Sequence, residues 1–168
     1  MFKREKNKTK LDRSRKYYKI LNSNMGNPIY IQYQEGLNVY PNFNPEKYRG
    51  IYFTNIESIF AYLNYGPIVA EITIPESSVV IECGERRSIY GEFIDGWFAD
   101  RIIIDKLMYL NELNTFKYLI DSGALIDIDK YQLIKYALLY NKELFEYLKS
   151  DFPDDDFDYL IMNIFRNF

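Results

Sequence analysis

Carboxylates are the side chains of this chain best able to do chemistry, and Glu71 is the most suggestively placed. It interrupts the apolar run Ile68-Val69-Ala70-Glu71-Ile72-Thr73-Ile74, where burial beside a cleft would tune it towards general acid–base work. Strand alternation gives a plainer reading, in which Glu71 shares a face with Val69 and Thr73 and points outward from a half-exposed sheet. That outward position is the expected one. Asp127 with Asp129, and Asp154-Asp155-Asp156, also bring acids together. Acid–base catalysis needs two carboxyls in different environments, and neighbouring aspartates share one. The acidic run reads as a solvated turn or as the N-cap of the last helix. Arg86-Arg87 with Trp97 has the composition of a phosphate or peptide contact, although paired turn arginines are ordinarily solvated and a lone Trp ordinarily belongs to a core. Cys83 closes the strand-like run from Val79 and reads as a small core residue rather than a nucleophile.

Absences narrow the chemistry further. With no His, neither Ser-His-Asp nor Cys-His machinery nor a His-liganded metal site can be assembled. One Cys permits no intrachain disulfide and no thiolate cluster, and favours a reducing compartment. Gly84, Gly91 and Gly96 are too widely spread to cradle a phosphate, matching neither GxGxxG nor GxxxxGK. No catalytic residue, cofactor or metal is therefore expected. The basic N-terminus is not followed by the apolar stretch of a secretory signal, and the apolar runs are far shorter than the ~20 residues that span a bilayer. No membrane partner is expected.

Charge is unevenly distributed along the chain. Residues 1–19 carry nine basic side chains against two acidic ones, a balance of +7, and the remainder balances at −10. Such an arm on an acidic body has the charge to meet nucleic acid or an anionic surface, through Lys3, Arg4, Lys6, Lys8, Lys10, Arg13, Arg15 and Lys16. It could equally lie against its own acidic body or serve as a solubilising tail. No aromatics alternate with these bases as they do in single-strand binders.

The elements that must position these residues follow from periodicity and turn chemistry. Tyr17 to Leu21, Ile29 to Tyr33, Ile68 to Ile74 and Val79 to Glu82 read as strands, with Leu37 to Tyr40 extending or pairing with the second. Pro41 to Gly50 reads as a loop, and Gly84 to Gly91 as a turn or hairpin. Thr54-x-x-Glu57 ahead of Ile56, Ile59, Phe60 and Leu63 predicts a capping box and an amphipathic helix over 55–65, stopped by a left-handed Gly66 and by Pro67. Trp97 to Ile104 fits a returning strand or a helix start. From Ile102 onward Leu107, Leu110, Leu113, Phe116 and Leu119 hold a helical face, interrupted near Asn111 to Asn114 and closed by Ser122-Gly123. Residues 131–141 and 143–150 read as an antiparallel helix pair joined near Asn141, and 157–166 as a final amphipathic helix.

The C-terminal part nearly repeats itself. Phe116-Lys117-Tyr118-Leu119-Ile120 returns as Phe145-Glu146-Tyr147-Leu148-Lys149, an offset of 29 residues, as stacked helical units do. The segment from Phe116 through Ser122-Gly123-Ala124 to Ile126 resembles the second helix and turn of an ankyrin repeat, and residues 131–151 resemble the next helix pair. The offset is shorter than the usual ~33 residues, the Thr-Pro-Leu-His start is missing, and the second unit ends in Phe152-Pro153-Asp154 instead of Gly-Ala-Asp. Upstream, Lys16 to Asn22, Tyr33 to Asn38, Gly50 to Ile56, Tyr62 to Gly66 and Ala70 to Pro75 resemble the leader region of ankyrin-repeat proteins from giant, Mimivirus-like viruses of amoebae.

That resemblance implies an α+β protein: a mixed N-terminal β-sheet with one short helix, followed by divergent ankyrin-like hairpins. The divisions are a basic arm at 1–15, an α+β domain at 16–101 and a helical region at 102–168. Two helix pairs are too few for a free solenoid, so they must pack on the N-terminal domain or on another protomer. The function implied is a non-enzymatic adaptor binding a host or viral protein, in host cytoplasm, viral factory or virion. Rivals are a nucleic-acid-associated protein using the basic arm and a transferase. For the latter, a Tyr-bearing strand (Ile51 to Thr54) followed by a Glu-bearing one is similar to an ADP-ribosyltransferase cleft at the level of fold alone, with no motif matched residue by residue.

Overall fold

A computed structural model describes residues 11–27, 31–83, 86–87, 93–151 and 157–166. Its centre is a four-stranded sheet in the order β1-β6-β11-β4, built from β1 (Tyr17–Leu21), β4 (Gly36–Val39), β6 (Ile68–Thr73) and β11 (Arg101–Tyr109). A three-stranded sheet, β5-β10-β7, is formed by β5 (Ile51–Phe53), β7 (Val80–Glu82) and β10 (Trp97–Ala99). Among the described residues two short antiparallel pairs complete the β structure, β2 (Gly26–Asn27) with β3 (Ile31–Gln32), and β8 (Arg86–Arg87) with β9 (Phe93–Ile94). The expected α+β class is what the fold shows. Every described strand pair is antiparallel, in place of the expected mixed sheet.

Alternation along β1 and β6 divides the interior into two cores. Tyr17, Leu21, Ile68, Ala70 and Ile72 face the smaller sheet and pack with Ile51, Phe53 and Trp97. Tyr18, Ile20 and Val69 face the helices and pack with Phe60, Phe116, Leu119 and Leu133. The central sheet is thus covered on both sides, which an antiparallel sheet need not be.

Strand β11 replaces the start of the helix that the sequence suggests from Ile102. A register shift between Ile104 and Lys106 marks a bulge in its pairing with β6. Before it, Ile102 and Ile104 enter the core of the smaller sheet; after it, Met108 and Leu110 enter the helical core. One extra residue breaks the period of two, and the remaining spacing, Leu107 to Leu110 to Leu113, imitates a helical face. The bulge residue Asp105 accepts hydrogen bonds from Lys16 Nζ at 2.8 Å and Thr73 Oγ1 at 2.7 Å.

The helix expected over 55–65 is a 3₁₀ segment, Ile59–Tyr65, and its capping box does not form. Thr54 Oγ1 donates to the carbonyl of Asp95, and Asn55 Oδ1 instead accepts from the Ser58 amide at 3.1 Å. Gly66 closes the segment at φ 157° and ψ −179°, an extended glycine conformation rather than the expected left-handed cap.

Among the described residues four α-helices follow: α1 (Leu113–Asp121), α2 (Lys130–Tyr140), α3 (Lys142–Asp151) and α4 (Phe157–Arg166). The Ser122-Gly123 stop is a Schellman closure: Gly123 has φ 111°, its amide donates to Ile120 O, and the Ala124 amide donates to Leu119 O. Asp129 caps α2 by accepting from the Gln132 amide. Asn141 joins α2 to α3, accepting from the Leu144 amide at 2.9 Å and donating to Leu110 O at 3.3 Å. Helix α1 packs on α3, while α2 packs on α4 and on the 3₁₀ segment. Like stacks on like, as in a two-layer helical repeat, and the 3₁₀ segment occupies the inner-layer place before α2. The two copies of the repeat are unequal in depth. Phe116 and Leu119 are wholly buried, and of their counterparts Leu148 is buried and Phe145 half-buried.

Candidate functional site

Helix α2 turns one side to the interior through Leu133, Ile134 and Ala137 and leaves another beside the 63–67 turn. Between the two lies a groove of about 630 Å³, lined by Leu63, Pro67, Lys135, Tyr136, Leu139 and Tyr140 among others. Tyr140 is 68% exposed and Leu139 41%, so apolar surface stands open to solvent at its lip. The floor is firmly set. Tyr136 stacks at a tilt against buried Phe116 with ring centroids 5.7 Å apart, and against Tyr140 at 5.2 Å. Tyr136, Leu139 and Tyr140 lie outside the face that α2 buries through Leu133, Ile134 and Ala137, so helical periodicity does not single them out. The signal that could have found them is an α2 carrying more apolar residues than one buried face can use.

Glu71 does not point outward as expected. It is buried, sharing the helical side of the sheet with Val69, because α1 covers the face that alternation alone would leave to solvent. The Tyr118 hydroxyl of α1 donates to its Oε2, and the Tyr18 hydroxyl lies 3.4 Å from the same oxygen, long for such a bond. The Tyr18 phenol is pushed up by burial and then by the adjacent carboxylate; that of Tyr118 is raised chiefly by its bond to Glu71. Lys106 Nζ sits 4.6 Å from the Tyr118 ring centroid and closes the cluster from outside. Glu71 does not line the groove. The cluster binds helix to sheet. Tyr118→Phe is expected to lower stability by about 1 kcal/mol, read as a shifted urea midpoint with unchanged slope.

The other singled-out residues are dispersed. Asp127 is exposed and 3.9 Å from Lys130, whereas Asp129 is buried at the α2 cap, where desolvation raises its pKa. Trp97 packs in the core against Tyr17 and Phe53, at 5.3 and 5.8 Å. Cys83 is half-buried, its amide bonded to Gly96 O. Arg86 and Arg87 form the first strand of a hairpin, and Asp154, Asp155 and Asp156 lie outside the described residues.

Of the basic set, Lys3, Arg4, Lys6, Lys8 and Lys10 also lie outside the described residues. Arg13 donates to the carbonyls of Pro75 and Ser78, Arg15 pairs with Glu57 at 2.7 Å, and Lys16 pairs with Asp105 at 2.8 Å. These three lie on the body. Among the described residues no group of acids and Cys is arranged to hold a metal, and no helix is long and apolar enough to cross a membrane.

No family model matches the chain, and no solved structure does. Proteins of Acanthamoeba polyphaga mimivirus do match. Two bear ankyrin repeat names: one is 32% identical over 116 residues, 64% of this chain and 27% of its own length. The other is 29% identical over 89 residues, 52% of this chain and 28% of its own length. The chain therefore spans little more than a quarter of either. A third, named only as an uncharacterized protein, is 31% identical over 117 residues, which is 64% of this chain and 78% of that protein. A shared origin with this third protein, most of whose length the chain covers, together with helices that stack in two alternating layers, places the chain in a giant-virus family of ankyrin-repeat-like proteins.

Proposed function

We propose that the chain is a non-enzymatic adaptor that holds a host or viral protein in the groove beside α2, acting inside the infected cell. The groove carries this reading: an open apolar channel whose floor is tied to the core and whose lip exposes Leu139 and Tyr140. A tyrosine such as Tyr140 is among the residue types that carry most of the energy of protein contacts, and Leu139 adds apolar area beside it. The ankyrin repeat names of two relatives agree with an interaction role. Glu71, held under α1, supports an adaptor over a transferase. The nucleic-acid reading gains little from Arg13, Arg15 and Lys16, whose side chains have partners on the body.

The test is capture from amoebal lysate after nuclease treatment, identification of the captured protein, and reconstitution with both components pure. The double variant Leu139→Asp, Tyr140→Asp is expected to lose at least tenfold in affinity while keeping the native melting temperature within a few degrees. Unchanged affinity would remove the groove from the interaction. Binding that disappears with nuclease would move the function to the arm.

A further inference from the structure

A second cavity, of about 220 Å³, opens where β1 meets the edge of the smaller sheet. Its aromatic wall is a continuous run of tilted rings. Tyr52 lies 5.4 Å from Tyr62 and 5.3 Å from Phe98, and Tyr62 lies 5.9 Å from Tyr65. The hydroxyls of Tyr52 and Tyr62 bond to each other.

Lys19 also lines this cavity. Strand alternation puts it on the side of β1 that faces the smaller sheet, between Tyr17 and Leu21 of that core. Its ammonium donates to the Tyr52 carbonyl at 2.8 Å and stands 5.2 Å from the Tyr33 ring centroid. Among the described residues no carboxylate pairs with it. One carbonyl and one ring face are thin compensation for a cation taken from water, and burial lowers the amine to about 8.

We propose that this cavity binds a small aromatic monoanion, its ring against Tyr52, Tyr62 and Phe98 and its carboxylate on the Lys19 ammonium. Two features of the site select that chemistry. Size comes first: a cavity of roughly 150 Å³ admits benzene, so this one takes a single ring with a short acidic substituent and little more. Charge comes second. A cluster of aromatic faces alone would favour a cation, but Lys19 sets a like charge against one. A neutral ring would fill the space and leave the ammonium as poorly compensated as before. A carboxylate supplies the partner that none of the described residues offers, through a charge-assisted hydrogen bond in a partly dry setting. The site is separate from the groove beside α2, and its occupation does not depend on the adaptor reading.

Titration calorimetry with phenylacetate and benzylammonium as probes, at pH 7 on the full chain, tests this. The two share a ring and a similar length and differ in the sign of the charge. Phenylacetate is expected to bind one-to-one with at least tenfold preference over benzylammonium. Lys19→Met is expected to abolish that preference while leaving the thermal unfolding transition cooperative. Equal or tighter binding of benzylammonium would overturn the proposal, as would phenylacetate affinity unchanged in Lys19→Met. No saturable phenylacetate binding to the native chain would overturn it as well.

Discussion

Gly66→Ala is expected to cost at least about 3 kcal/mol of stability, enough to leave a domain of this size largely unfolded at moderate temperature. Two effects act together. At φ 157° and ψ −179° the residue occupies backbone space that is essentially glycine's own. A Cβ would also stand 2.1 Å from Leu21 O and 2.5 Å from the Asn22 Cα. Those atoms belong to the backbone at the end of β1, so no rotamer change relieves the contact. Nor can the turn retreat easily, because Pro67 O accepts the Leu110 amide at 2.8 Å and β6 begins at Ile68. Gly36→Ala is the control. Gly36 also has positive φ, 87°, but a Cβ there meets nothing within 4 Å, so only the conformational cost of about 1 kcal/mol applies. Urea denaturation of both variants reads the contrast directly. A Gly66→Ala loss no larger than that of Gly36→Ala would mean that the turn is not seated against β1.

The same turn illustrates what the sequence discloses and what it withholds. A glycine followed by proline announces a stop, and the stop is there. That the position leaves no room for a Cβ depends on Leu21, far away in sequence, and no local pattern carries that. Runs such as Tyr17 to Leu21 and Ile68 to Thr73 were legible because β-branched and aromatic residues between turn signals have few alternatives. The Phe116 and Phe145 copies were legible because a repeated hydrophobic set imposes a repeated helix. Asp105 was not, since a bulge removes the very alternation by which a strand is recognised. Thr54 and Glu57 spelled a capping box, but Asp95 offered Thr54 a carbonyl and Arg15 took Glu57, so tertiary partners outbid the local motif. Glu71 follows the same logic: alternation placed it on the correct face, and only the position of α1 decided that this face is interior. The groove was the least legible feature, because Tyr136, Leu139 and Tyr140 matter through what α2 leaves uncovered.

Lys19→Met is expected to stabilise the chain at pH 7 by about 2 kcal/mol, and the gain is expected to fade as pH rises. The sign follows from the direction of the shift. In the folded chain the amine lies at about 8, against an ordinary 10.5. Below pH 8 both states are charged, and the folded state bears the full cost of a poorly solvated ammonium. Between about pH 8 and 10.5 the unfolded chain holds a proton that the folded one has released, so the stability of the native sequence climbs with pH. The shift corresponds to an upper limit of roughly 3 kcal/mol, and the half-buried position of Lys19, with a carbonyl in hand, brings the expectation down. Methionine keeps most of the aliphatic stem without the charge. The phenols of Tyr18 and Tyr33, both raised by burial, act in the opposite sense and only above about pH 10. They are common to both proteins, so the difference between the two stability curves isolates Lys19. Urea titrations at pH 7, 8.5 and 10 supply that difference. A gap that is constant across the three would show that the lysine amine is no less basic in the fold than in solution, and would remove the support that its lowered pKa lends to an anion site. A gap that closes with pH, in a variant that has also lost its preference for phenylacetate over benzylammonium, would show one underpaired cation costing the fold stability and giving the cavity its selectivity.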